Sequence, residues 1–269
     1  MLMTRRSMLS AASAGIASLS AAHLLAEEPA AKPANTAIGP TYPTQDPDMA
    51  RDIVGASHGN IARVRELLAL HPSLAKATWD WGFGDWETAL GAASHVGNRE
   101  IAALLMKHGA RPDLFTFAML GQLDVVKAYI VANPGIQRIA GPHGITLLSH
   151  AKAGGDEAVA VVKYLKELGD ADVQPEPHPL SEASKKLYMG DYRFAADPEG
   201  RLIVKTHRTG VLTIQRGENG SPRNLVPTGP HAFHPVGSPK VAIVFEMKGT
   251  TVSAVRVTDG PIKLQATRL

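Results

Sequence analysis

Residues 88–110 contain two short apolar segments separated by a glycine. Leu90 lies in the first segment, and Ile101 and two leucines follow helical spacing in the second. Gly97 lies between them, where a tight turn needs a residue without a side chain. Gly109 follows the second segment, at the position where a helix commonly ends. The stretch therefore predicts two short helices joined by a glycine turn.

The same pattern recurs along residues 48–172. Its turn glycines are Gly59, Gly97, Gly121 and Gly155, which are separated by 38, 24 and 34 residues. The pattern resembles the ankyrin repeat, whose period is about 33 residues. The block 79–95 is also similar to one in exported bacterial ankyrin proteins. The resemblance implies an all-α solenoid of about four repeats, with an insertion between the first two repeats.

The last part of the chain changes to the alternating pattern of strands. Residues 262–269 alternate apolar and polar side chains over most of their length, and Asn219-Gly220 and Asp259-Gly260 are turn signals. The segments 188–192 and 241–245 are similar to a small β domain that is appended to exported bacterial serine β-lactamase-like hydrolases. Residues 185–269 are thus expected to form an antiparallel barrel or sandwich. The predicted class is a multidomain chain with an all-α ankyrin-repeat solenoid followed by this all-β domain.

The N-terminal residues have the character of an export signal. Arg5 and Arg6 precede a weakly apolar, Ala- and Ser-rich stretch, which resembles a bacterial twin-arginine signal. We expect a signal peptide at 1–26, cut after Ala22 or Ala26, and a periplasmic or secreted protein. Pro-rich composition predicts a linker at 27–47, and a second linker is predicted at 173–184.

Composition excludes several functions. The chain has no cysteine, so disulfide scaffolds, thiolate metal sites and cysteine nucleophiles are excluded. No apolar run after residue 26 is long enough for an integral membrane span. Loss of Arg5 and Arg6 with the signal lowers the formal net charge from +3 to +1, so the basic pI does not indicate nucleic-acid binding. Residues 180–269 carry a net charge of +6, which predicts weak contact with anionic envelope polymers.

The sequence shows no set of motifs typical of a catalytic site. The motifs HExxH and Walker A do not occur in it. His231 and His234 are three residues apart, but Pro and Gly flank their segment. His58, His95 and His143 each lie beside a predicted turn. These histidines are interpreted as surface or turn residues, because a closed metal site needs three or four convergent ligands. No enzyme activity, metal or cofactor is predicted.

One aromatic cluster is a candidate binding surface. All three tryptophans lie within eight residues, and the candidate contact residues are Trp79, Trp81, Phe83 and Trp86. They fall on the predicted insertion, and tryptophan is enriched among interface residues that contribute most to affinity. The alternative is that the rings pack back over the helices.

The predicted function is non-catalytic binding of a protein partner outside the cytoplasm, through the concave face of the repeats. One alternative is binding of a small ligand, glycan or lipid by the β domain, where Tyr188, Tyr192, Phe194 and Phe245 would supply stacking surface or fill the core. A second alternative is an enzyme with an unrecognised site, around His231 and His234 for example.

Overall fold

The computed structural model describes residues 41–173, 180–197, 200–207 and 209–269. The predicted signal peptide 1–26 and most of the first predicted linker therefore lie outside the described residues. Residues 174–179 of the second predicted linker do so as well. Thr41–Leu269 cluster as one compact unit. The domain boundaries drawn from the sequence remain predictions.

The first half of the described chain is made of paired helices. The pairs are α1 (Pro47–Ala56) with α2 (Ile61–Leu70), α3 (Ala89–His95) with α4 (Arg99–Lys107), α5 (Leu114–Met119) with α6 (Leu123–Ala132), and α7 (Leu147–Ala153) with α8 (Val159–Leu168). Short 3-10 helices occupy Pro72–Lys76, Ile136–Arg138, Pro142–Gly144 and Gly155–Ala158. The first helices of successive pairs contact one another, α1 with α3, α3 with α5, and α5 with α7.

Helix starts and turns have local causes. The side chain of Thr88 accepts a hydrogen bond from the Gly91 amide and caps α3, and Asn98 caps α4 in the same way. Gly97 has a φ of +74°, and a Cβ at this position would lie 2.0 Å from the Ala153 carbonyl oxygen. Glycine is thus required there by both backbone conformation and close packing.

Two strands separate the first helix pair from the second. They are β1 (Thr78–Asp80) and β2 (Trp86–Thr88), which pair antiparallel with Asp80 opposite Trp86. The loop between them, residues 81–85, contacts both the helices and the second half of the chain. Trp81 packs against the helical core, whereas Phe83 packs against the core of the barrel described next.

The second half begins with helix α9 (Glu182–Tyr188) and continues as eight antiparallel strands. They are β3 (Gly190–Phe194), β4 (Arg201–Thr206), β5 (Leu212–Arg216), β6 (Arg223–Gly229), β7 (Ala232–Pro235), β8 (Ala242–Lys248), β9 (Thr251–Asp259) and β10 (Ile262–Arg268). Each strand pairs with the next, and β10 pairs with β3 through Ala266 and Phe194, which closes the barrel. Tyr188, Tyr192, Phe194 and Phe245 are all buried in its core, so these aromatics fill space rather than offer a free stacking surface.

The predicted fold class is wrong. The described chain is a mixed α and β structure with a closed eight-stranded antiparallel barrel, and its helical part is not an all-α ankyrin-repeat solenoid. The periodicity of apolar residues reports only the local helices. It does not reveal that the insertion forms strands, or that its loop carries Phe83 into the barrel core.

None of the helices within the described ranges has the length and apolar character needed to cross a lipid bilayer.

Candidate metal centre

The four aromatic residues singled out in the sequence lie in different surroundings. Trp79 and Trp81 are partly buried against the helical core, and Phe83 is partly buried against the barrel core. Trp86 on β2 is 61% exposed. They do not form one continuous exposed face, and only Trp86 among them presents a largely free side chain. Their role in binding a partner remains a prediction.

The histidine pair near the start of β7 does not converge on a common point. His231 lies in the turn before β7, where its Nδ1 is 3.0 Å from the Tyr188 hydroxyl oxygen. His234 is buried, and its Nδ1 is 2.8 Å from the Pro235 carbonyl oxygen. Each ring is therefore held by a local contact of its own.

Three other histidines and one glutamate do converge. His58 follows α1, Glu87 lies in the middle of β2, His95 ends α3, and His143 lies in the 3-10 helix Pro142–Gly144. One ligand atom from each side chain lies within 4.8 Å of the others. Four separate segments thus bring imidazole nitrogens and a carboxylate to one point, which we call the His3Glu cluster.

The sequence contains a signal for part of this cluster that single-residue inspection missed. Ala-Ser-His occurs at the end of both α1 and α3, as residues 56–58 and 93–95. Ser57 and Ser94 each donate a hydrogen bond of 2.7 Å to the carbonyl oxygen four residues earlier, so the two helix ends are alike. Because α1 and α3 pack side by side, the equivalent histidines become neighbours, with ring centroids 4.9 Å apart.

Distances to Glu87 define the shape of the cluster. His95 Nε2 lies 3.0 Å from Oε1, while His143 Nε2 and His58 Nε2 lie 3.4 Å and 3.5 Å from Oε2. In a tetrahedral zinc site with bonds of about 2.0–2.1 Å, neighbouring ligand atoms are about 3.3 Å apart. The separations of His143 and His58 from Oε2 are close to this value, and His95 lies at a similar distance from the other oxygen, Oε1.

The orientation of two rings is set by their second nitrogen. His58 Nδ1 lies 3.1 Å from the Gly55 carbonyl oxygen, and His143 Nδ1 lies 2.7 Å from the Asp85 carboxylate. A carbonyl or carboxylate oxygen only accepts, so each Nδ1 carries the hydrogen and donates it. Burial lowers the pKa of His143, but Asp85 and Glu87 outweigh this effect and raise it to about 9, so without a metal its Nε2 carries a proton that faces Glu87. A metal ion would replace that proton, and the Nε2 lone pair would then point to the position of the ion.

Two buried atoms of the cluster lack a hydrogen-bond partner among the described residues. They are Glu87 Oε1 and His95 Nε2, which lie 3.0 Å apart but are not aligned as donor and acceptor. Buried polar atoms are nearly always satisfied, and an ion is one accepted explanation of an exception. These two unpartnered atoms are therefore a second observation that supports a cation between them, separate from the spacing of the four ligand atoms.

Glu87 is ionised despite complete burial of its side chain. Burial raises its pKa, but the imidazoles of His143 and His95 outweigh this effect and lower the pKa to about 2. Trp81 Nε1 donates a 2.7 Å hydrogen bond to Oε2 and fixes the carboxylate further. A buried anion surrounded by imidazoles provides the charge that a divalent cation needs.

Comparisons with known proteins add no functional information. No protein-family model matches the chain. No curated protein matches either. Two solved structures, "Crystal structure of SurE" and "Crystal structure of SurE with D-Leu", are similar over 45% of this chain at 22% identity and a TM-score of 0.25. The match spans only 28% of those chains, and at this TM-score it supports no argument about the present protein.

Proposed function

We propose that this protein binds one divalent transition-metal ion, Zn²⁺ being the best fit, through the His3Glu cluster. The ligands would be Nε2 of His58, His95 and His143 together with the Glu87 carboxylate. The observation that carries the proposal is the convergence of these four ligand atoms within 4.8 Å from four separate segments.

The donor set favours this class of metal. Imidazole suits Zn²⁺, Cu²⁺ and Ni²⁺, whereas Mg²⁺ and Ca²⁺ prefer shells made of oxygen ligands. The separations of 3.4 and 3.5 Å between Glu87 Oε2 and the Nε2 atoms of His143 and His58 are close to the distance between neighbouring ligands of a tetrahedral ion, which is the usual geometry of bound zinc. Zn²⁺ is therefore the first ion to test.

The number of ligands supports a non-catalytic role. Structural zinc sites have four protein ligands, whereas catalytic sites keep one position for water or substrate. With three imidazoles and one carboxylate, a four-coordinate ion has no vacant position. We therefore retain the absence of enzyme activity as part of the proposal, and the ion would act by stabilising the packing of α1, α3 and β2.

Metal titration of the full chain tests the proposal. Purified protein is treated with chelator, titrated with Zn²⁺ by calorimetry, and examined with Co²⁺, whose absorption reports tetrahedral coordination. We expect one ion per chain. His95→Ala should abolish stoichiometric binding, because it removes one of four ligands.

The matched control is His207→Ala, which alters an exposed histidine on the barrel. It should bind zinc as the wild-type protein does. If His95→Ala does not fold, Glu87→Gln tests the same centre. Failure of the wild-type protein to bind one ion, or wild-type affinity in the folded ligand variant, overturns the proposal and leaves a metal-free cluster of imidazoles and carboxylate.

Binding of a protein partner outside the cytoplasm is a second proposal, now limited to Trp86. Its 61% exposure favours it, since large aromatics are mostly buried. Capture of a protein partner from an envelope extract should succeed with the wild-type bait and fail with folded Trp86→Ala. Equal capture by both baits contradicts the assignment of Trp86.

Export is a separate proposal, which N-terminal sequencing of the protein from the periplasm tests. We expect the mature chain to start after residue 22 or 26.

A further inference from the structure

Asp85 contacts His143 at two points. The carboxylate accepts a 2.7 Å hydrogen bond from the ring Nδ1 and a 2.9 Å hydrogen bond from the backbone N–H of the same residue. Asp85 is 3% exposed and lies two residues before Glu87. One short segment therefore supplies both a ligand of the His3Glu cluster and a carboxylate that holds another ligand.

The backbone of His143 needs such support. Its φ of +60° and ψ of +18° lie in the left-handed region, which few residues other than glycine adopt. Conformations of this kind persist where the surroundings determine them. The bond from the His143 amide to Asp85 fixes this backbone, while the bond from Nδ1 fixes the ring.

The barrel fixes Asp85 in turn. Arg223, the first residue of β6, forms an ion pair with the Asp85 carboxylate and donates a 2.9 Å hydrogen bond to the Val236 carbonyl oxygen. Gly237 provides the space for the carboxylate, because a Cβ there would lie 2.7 Å from Asp85 Oδ1. In the second half of the chain, Arg223 therefore binds the Asp85 carboxylate and Gly237 leaves room for it.

From this geometry we propose that Asp85 is the positioning residue of the metal centre and that Arg223 makes metal affinity depend on the barrel. The inference rests on the proposed function of the His3Glu cluster. A metal-bound imidazole whose other N–H donates to a carboxylate is correctly oriented and more basic, and loss of such a partner typically weakens metal binding roughly 10–100-fold.

Asp85→Asn tests the inference because asparagine keeps the shape of aspartate and removes its charge. Zinc affinity, measured by competition with a chelator, should fall roughly 10–100-fold. The Co²⁺ absorption spectrum should change as well, since a reoriented His143 alters the ligand field, whereas loss of stability alone leaves the spectrum of the folded protein unchanged. The control is Asp191→Asn, which removes a carboxylate paired with Arg201 on the barrel and should leave both readouts at their wild-type values.

Arg223 variants provide the second test. Arg223→Met should weaken zinc binding, and Arg223→Lys should restore part of the loss, since lysine keeps a positive charge beside Asp85. Wild-type affinity and spectrum in folded Asp85→Asn, or in Arg223→Met if Asp85→Asn does not fold, overturn the inference. Absence of stoichiometric zinc in the wild-type protein, or its retention in His95→Ala, overturns the proposed function instead, so the two failures are distinguishable.

Discussion

Replacing Arg223 with methionine should destabilise the metal-free protein by about 3 kcal/mol. Arg223 and Asp85 have side-chain exposures of 7% and 3%, so their ion pair is almost completely removed from water. The substitution leaves the Asp85 carboxylate buried without its arginine. Methionine keeps an apolar stem of similar length, so loss of packing contributes little to the change.

The magnitude follows from the surroundings of the carboxylate. Breaking a buried ion pair by removal of one partner costs about 3–5 kcal/mol, because an uncompensated charge stays behind. Asp85 keeps two hydrogen bonds from His143. Asp85 and Glu87 raise the pKa of His143 to about 9 against the effect of burial, so a charged imidazole still compensates part of the Asp85 charge and the expected loss lies near the lower end. For a unit of this size, about 3 kcal/mol corresponds to a decrease in Tm of roughly 6–12 °C.

Urea denaturation in the presence of chelator measures the effect without interference from bound metal. The free energy of unfolding should fall while the m-value stays constant. The control is Arg256→Met, which breaks an exposed pair with Glu246 on the barrel and should cost no more than about 1 kcal/mol. The double variant Asp85→Asn with Arg223→Met leaves no uncompensated charge and should be more stable than Arg223→Met alone.

Two results refute this reasoning. One is a decrease in the free energy of unfolding for Arg223→Met that equals the decrease for Arg256→Met. This result means that water reaches the Asp85 carboxylate once the arginine is removed. The other is a double variant less stable than the single one, which means that the charge of Asp85 stabilises the fold without Arg223.

Three further outcomes are expected. Zn²⁺ at 100 times its Kd should add about 2.7 kcal/mol to the free energy of unfolding of the wild-type protein, but nothing to that of His95→Ala; equal stabilisation of both places the ion elsewhere. Gly97→Ala should cost more than about 1 kcal/mol in urea unfolding, because φ is +74° and a carbonyl oxygen is 2.0 Å from the new Cβ. Gly59→Ala, with nothing within 4 Å, should be nearly neutral, and equal losses contradict the steric argument. Burial raises the pKa of Tyr192 to about 12, so the unfolded chain releases this proton first, near pH 10, and stability should fall between about pH 10 and pH 12; Tyr192→Phe should lack this component, and an unchanged alkaline profile argues against it.

The predicted fold class was wrong because the sequence patterns report only interactions between residues that are close in the chain. A residue pattern with helical spacing indicates that a helix forms, because its hydrogen bonds and caps connect residues three or four apart. It carries no information about what the helices pack against. The insertion between the first two helix pairs therefore looked like part of a solenoid, whereas Phe83 and Asp85 from its loop contact the barrel.

The metal centre escaped sequence analysis for the same reason. His58, His95 and His143 each lie beside a turn, and nothing near any one of them in the sequence distinguishes a ligand from a surface histidine. The repeated Ala-Ser-His at the ends of α1 and α3 relates two of them only once those helices are known to pack together. No sequence pattern marked Glu87, which lies on the short strand β2, as a possible metal ligand.

Local interactions written in the sequence determine where elements begin and end. Thr88 caps α3 by reaching an amide three residues ahead, Gly97 permits the turn after it, and the alternating pattern of residues 262–269 coincides with the strand β10. Only the tertiary structure decides which distant side chains meet. Asp85 and Arg223 are 138 residues apart in sequence, and their contact depends on how the barrel packs against the loop after β1. Convergence of the His3Glu cluster is likewise a property of packing, because no local rule acts over such separations.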